Sequence, residues 1–284
     1  MIKIKELLRP IFGSLISSEK TIIRNYKILT EIMYKERLSN INNDFAKKFA
    51  KNYFSQTDED GITLEIIKRV INKNEPTFLE FGVGDGLENN SLVLLSLKWR
   101  GSWFGGEDLA FKYNNRTRLQ FEKIWINKDN ILDLYNSSLK YHGVSQHELV
   151  SIDLDGNDLY LVEKMLEAGA CPKLFICEYN GIFPPGSKWK MKYDDSHLWD
   201  GDHYYGASLR SFVDLFSRYN YFLCACNPQT GTNAFFVRSE YRNSFTDIPD
   251  SIEDIYIHPC YWVDNKFKHK ITPKFISSII DQDI

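Results

Sequence analysis

A chain of 284 residues can bury a sizeable core, and 43% hydrophobic with 26% charged residues is ordinary for a soluble globular protein: one large domain with an appendage. A net charge of −3 excludes the broad basic excess of a nucleic-acid binder. Cys171, Cys177, Cys224, Cys226 and Cys260 lack metal-ligand spacing, no secretory leader precedes the domain, and no stretch reaches transmembrane length, which together predict reduced thiols and a cytoplasmic protein.

The first 75 residues read as a helical N-terminal extension. Its start is basic and apolar, interrupted by Pro10 and Gly13, and predicts an amphipathic helix packed on its own protein or a partner rather than a membrane-surface anchor. Ile22, Ile23, Tyr26, Leu29, Ile32 and Met33 continue at helical spacing, and the polar stretch 55–61 breaks the pattern before a short helix over 62–71. From Thr77 short apolar runs alternate with helical patterns, as in βα units. Strands are predicted at 77–82, 102–106, 123–126, 148–154, 173–179, 220–226 and 233–238. Only six residues separate the last two, too few for a crossover helix, so they form an antiparallel hairpin. The expected fold is therefore α/β and Rossmann-like, mainly parallel with a C-terminal antiparallel hairpin, over 76–240. A tail from 241 to 284, with Tyr256, Tyr261, Trp262 and Phe267, packs on the domain or completes a homo-oligomer.

The stretch TFLEFGVGDG carries an apolar strand into an acid, Glu80, and glycines at alternate positions, Gly82, Gly84 and Gly86. Glycine permits positive φ and close approach of a ligand to the backbone. A dinucleotide fingerprint would place its third glycine where this chain has Leu87. With the terminal hairpin, these residues resemble class I S-adenosylmethionine-dependent methyltransferases, which carry an acid at the end of strand one followed by GxGxG. SIDLDGND (151–158), CPKLFICEYN (171–180), YYGASL (204–209) and NAFFVR (233–238) resemble the FkbM-type branch, whose members are associated with O-methylation, often of sugars. The resemblance covers about residues 75–240.

The resemblance implies S-adenosylmethionine as cofactor, held by Glu80, Gly82, Gly84, Gly86 and Asp153, with Glu107 and its neighbour Asp108 at the ribose and Asp129 at the adenine; a solvated turn is the other reading of Asp129. Asp153, Asp155 and Asp158 follow a strand where open α/β sheets place ligands, and Glu178 and Asn180 end the neighbouring strand. Asp153, Asp155, Glu178 and Asn180 thus form an oxygen-rich set suited to Mg²⁺ or Mn²⁺, or to binding substrate hydroxyls directly, while Asp158 reads as a helix cap. His203 is the first candidate for accepting the proton of a methylated hydroxyl, with Asp153 or Asp155 as alternatives; a surface histidine in a hydrated loop is the other reading of His203. The long loop 183–205 combines aromatic residues with aspartates. Trp189, Trp199, Tyr204 and Tyr205, with Tyr179 and Asn180, are expected to contact a polyhydroxylated substrate; a lid or oligomer contact is the alternative. The function expected is O-methylation of a sugar, nucleotide sugar or glycan precursor. The competing expectations are a Rossmann-type NAD-binding oxidoreductase and a non-catalytic methyltransferase-like binding module.

Overall fold

Strands buried on both faces need continuous apolar runs, and the chain supplies them: every residue of β1 (Thr77–Phe81), TFLEF, and of β4 (Leu149–Ile152), LVSI, is buried. The computed structural model describes residues 2–72, 74–113, 118–260 and 272–280, with the side chains of its first helix from Lys20 onward. Among them, β1, β2 (Arg100–Gly105), β3 (Leu119–Lys123), β4, β5 (Leu174–Glu178), β6 (Tyr221–Cys226) and β7 (Asn233–Arg238) form one sheet in the order β3-β2-β1-β4-β5-β7-β6. The pairs from β3 through β5 are parallel; β7 runs antiparallel to both β5 and β6. This is the expected mainly parallel Rossmann-like sheet closed by an antiparallel hairpin. It places the carboxyl ends of β1, β4 and β5 side by side.

The helices α4 (Leu92–Ser96), α5 (Ile131–His142), α6 (Asp158–Glu167) and α7 (Leu209–Arg218) connect the strands. Ser208 caps α7 by accepting the N–H of Ser211, and Gly143, at φ 65°, ends α5. Phe212 and Phe216 pack onto Phe236 of β7, with the rings of Phe216 and Phe236 stacked at 4.1 Å.

Two stretches differ from the sequence reading. The third strand is Leu119–Lys123, not 123–126, because an edge strand needs little apolar character and the more apolar KIWI follows it toward the site. The helix expected over 62–71 begins inside the polar stretch 55–61. Asp58, Glu59 and Asp60 are all buried, and α3 begins at Glu59 (Glu59–Val70). Asp60 accepts the N–H groups of Tyr53, Phe54 and Ser55. Asn227, in the β6–β7 turn, donates to Glu59 and Thr57, and Gln229 N–H donates to Asp58. Met1–Asn40 is one compact unit, and Ile41–Ile284 is the other. Within the second unit α3 is tied to the later chain by Arg69, which makes a bidentate pair with Asp247 at 2.6 and 2.8 Å and lies over the rings of Phe45, Phe49 and Phe245.

The first unit is one helix, α1 (Ile2–Ser39). After β7 come a 3-10 turn (Ser239–Ser244), α8 (Ile252–Ile255) and α9 (Pro273–Ile280). Tyr256 donates its hydroxyl to the carbonyl of Gly181, docking that part of the tail. Tyr261, Trp262 and Phe267 lie outside the described residues.

Candidate functional site

Gly82, Gly84 and Gly86 all take positive φ, 88°, 49° and 84°. A side chain at Gly82 would place its Cβ 1.6 Å from the carbonyl oxygen of Asp153, so β1 and β4 meet there backbone to backbone. At Gly84 the added carbon would meet nothing within 4 Å, leaving open space beside the turn. Glu80, 2% exposed inside β1, accepts the N–H groups of Asn90 and Ser91 at 2.9 and 3.0 Å and the hydroxyl of Ser91. Trp103 donates its indole N–H to the same hydroxyl oxygen. Burial raises the Glu80 carboxyl to about 6 against these hydrogen bonds. Its role is to fasten the segment before α4 to the end of β1.

The second feature lies at the ends of β4 and β5. Asp153, Asp155 and Glu178 bring one carboxylate oxygen each to within 4.8 Å of one another. Burial pushes Asp153 and Glu178 well above the usual carboxylate range, Asp155 and Asp158 push the same way, and the side-chain hydrogen bond between Asp153 and Glu178 raises Glu178 while it lowers Asp153. Among the described residues the buried Oε2 of Glu178 has no hydrogen-bond partner. Asp155 sits at φ 53°, a left-handed conformation that costs a non-glycine residue energy and aims its carboxylate outward, where it is exposed. Asp158 supports this turn by accepting the N–H groups of Leu154 and Gly156 at 2.8 and 3.0 Å, and burial raises it to about 6. Converging oxygen donors, mutual repulsion and an orphaned buried oxygen are what a hard divalent cation relieves, so these residues fit Mg²⁺ or Mn²⁺.

Asn180 has a different use. Its amide donates to the carbonyls of His203 and Tyr205, and its oxygen accepts the N–H of Ile182, so it fixes both ends of the loop 181–207. Asn233, opposite Glu178 in the β5–β7 register, donates to Glu59.

The loop aromatics separate into two groups. Trp189, 3% exposed, stacks on Phe183 at 4.7 Å and lies against Phe275, while Met191 completes that small core. Tyr205 is buried, and Tyr179 is buried with its hydroxyl on the carbonyl of Ile257. These three serve packing, because aromatic rings in a long loop bury one another when no strand offers them a sheet face. Trp199 and Tyr204 are half-buried. His203 is fully buried with its ring against Phe275, which encloses its imidazole rather than presenting it to solvent.

The cofactor-side acids lie beyond β2 and β3. Glu107 and Asp108 are exposed just past β2, and Asp108 pairs with Lys123. Asp129 is exposed in a turn organised by Asn127 and Asn130. Between these strand ends runs a cleft lined by Gly106, Ile124, Trp125, Leu154, Asn157 and His197. His197 was not identifiable from sequence, since it lies among loop aspartates with no motif around it. Its ring packs so tightly on Gly156 that a Cβ there would come within 2.7 Å. Burial lowers its pKa and keeps it neutral, and its Nε2 is buried without a hydrogen-bond partner among the described residues.

No family model and no curated protein matches this chain. Among solved structures, it is similar to a chain of a fibrillarin/Nop5p complex at 10% identity and TM-score 0.32, over 61% of this chain and 78% of that one. It is also similar to an O-methyltransferase family 2 protein from Planctomyces limnophilus DSM 3776 in complex with apigenin, at 13% identity and TM-score 0.33. That alignment covers 75% of this chain and 61% of the other, under two thirds of its length. Likenesses at this level add nothing to what the strand order states by itself.

Proposed function

We propose that this protein is an S-adenosylmethionine-dependent O-methyltransferase acting on a hydroxyl of a sugar, nucleotide sugar or glycan precursor. The observation that carries the reading is the adjacency of a glycine turn with open space at Gly84 to a three-carboxylate cluster, on neighbouring strand ends of a mainly parallel sheet. In this reading the turn at Gly82, Gly84 and Gly86 receives the amino acid end of the cofactor, Glu107 the ribose, and the cleft between Trp125 and His197 the adenine. Asp153, Asp155 and Glu178 hold a divalent cation. When bound, the cofactor supplies an activated methyl group and the cation lowers the pKa of the acceptor hydroxyl. The chain's own work is alignment, since displacement at an activated carbon needs its partners held in line. The carboxylate oxygen of Asp155 that is not used in the cluster accepts the proton, in preference to the enclosed His203. Trp199 and Tyr204 are the loop aromatics left to meet a sugar face.

The test is methyl transfer from labelled cofactor into a panel of nucleotide sugars and glycan precursors, with calorimetry against S-adenosylmethionine, S-adenosylhomocysteine and NAD. Turnover in the panel is expected. Binding of NAD with neither methionine-derived ligand would overturn the reading in favour of an oxidoreductase, and cofactor binding without any turnover would leave a binding module.

A further inference from the structure

The long helix α1 contains an apolar face that nothing in the function above uses. At about 100° per residue, Ile22, Ile23, Tyr26, Leu29, Ile32 and Met33 fall within one half of the helix circumference. In the folded chain they remain exposed, Ile22 at 67%, Leu29 at 55% and Ile32 at 56%. Lys20, Arg24, Lys27 and Lys35 fall in the opposite half beside Ile28, with Glu31, paired with Lys35 at 2.9 Å, as the single acid among them, and all are exposed. This stretch is therefore cationic in a chain whose net charge is −3.

We propose that α1 binds the surface of an anionic lipid bilayer, with Ile22, Leu29, Ile32 and Met33 entering the headgroup and acyl boundary and Lys20, Arg24, Lys27 and Lys35 meeting the lipid phosphates. Charge complementarity selects this occupant. A broad apolar arc backed by cations is the pattern of a helix lying in a membrane interface. A second copy of the helix fits less well. The three-and-four-spaced line through Ile22, Tyr26, Leu29 and Met33 runs next onto Glu36, and the flanks of that line hold Ile23 and Ile32 where a coiled coil carries the charges that set its pairing. No described helix is long and apolar enough to cross a bilayer, so the helix lies on the surface. The inference does not depend on the catalytic reading.

The experiment is co-sedimentation of the full chain with vesicles of phosphatidylcholine alone and of phosphatidylcholine mixed with phosphatidylglycerol, with light scattering of the free protein in parallel. Binding is expected to the anionic vesicles only, weakening as salt is raised. Replacing Lys20, Arg24 and Lys27 together by Gln should weaken it on the order of 100-fold. Leu29→Glu with Ile32→Glu should abolish it while leaving the melting temperature unchanged, because both side chains are exposed. Equal partition of the wild type into both vesicle types, or into neither, would overturn the proposal. So would a lipid-free dimer dissociated by the Leu29→Glu, Ile32→Glu pair, which would assign the face to a second copy.

Discussion

Alanine placed separately at Gly82 and Gly84 distinguishes a glycine needed for folding from one needed for a ligand. At Gly82 the new Cβ would stand 1.6 Å from the Asp153 carbonyl oxygen, where ordinary contact begins at 3.4 Å. The two strand ends would have to part by about 1.8 Å, the difference between those distances. Both are held, Gly82 N–H by Phe104 O at 2.8 Å and Asp153 N–H by Phe81 O at 3.1 Å. Left-handed φ costs an alanine about 1–2 kcal/mol, and forced overpacking adds about 1–3 kcal/mol. A loss of about 2–5 kcal/mol corresponds to a fall in melting temperature on the order of 10 °C for a chain of this size. At Gly84 only the backbone term applies, because no atom lies within 4 Å, so Gly84→Ala should lower the melting temperature by about 3 °C. Its methyl group enters the space assigned to the cofactor, and S-adenosylhomocysteine affinity should fall about tenfold or more. Differential scanning fluorimetry and calorimetry on both variants read this out. A Gly82→Ala protein as stable as the wild type would refute the backbone contact, and full affinity in Gly84→Ala would refute the cradle.

The carboxylate cluster predicts a pH dependence. The folded pKa values of Asp153, Glu178, Asp158 and Glu80 are raised, so the stability they contribute is present below about pH 4 and is lost as pH rises through their folded values, about 6 for Asp158 and Glu80. The chelated protein should melt lower at pH 8 than at pH 5, and Mn²⁺ should restore stability mainly at pH 8. Glu178→Gln should flatten the slope and abolish the Mn²⁺ effect; a chelated wild type indifferent to both pH and Mn²⁺ would refute the site. For His197→Ala the expected result is a roughly tenfold loss of S-adenosylhomocysteine affinity from one missing hydrogen bond, with melting lowered by a few degrees through the void left over Gly156. Arg69→Ala should cost about 3 kcal/mol in urea melts through the lost Asp247 pair and ring contacts, with cofactor affinity intact. A cost below 1 kcal/mol would mean the guanidinium is not what ties α3 to the later chain.

How legible these features were depended on whether their signal was local. Gly82, Gly84 and Gly86 announce a turn because alternate glycines have few other uses, and β4, β5 and the hairpin announce themselves by apolar runs with a short gap. Asp153, Asp155 and Glu178 were legible once strand ends were placed, since sheet order alone brings them together. The edge strand β3 was not, because LQFEK has the polarity of a loop and its strand character comes from pairing with β2. Nor was the burial of Asp58 and Glu59, whose partners in the hairpin turn lie about 170 residues away in sequence. Trp189 shows the converse error: an aromatic residue in a long loop looks like a ligand platform until Phe183 and Phe275 cover its faces.

The position of β7 between β5 and β6 has a consequence for synthesis. β5 stays an open edge, with unpaired backbone groups and the Glu178 carboxylate at its end, until residues 233–238 have left the ribosome and returned to pair with it. For that interval a strand destined for the middle of the sheet is available to any other nascent chain, and the acid at its tip, once ionised, repels a like edge.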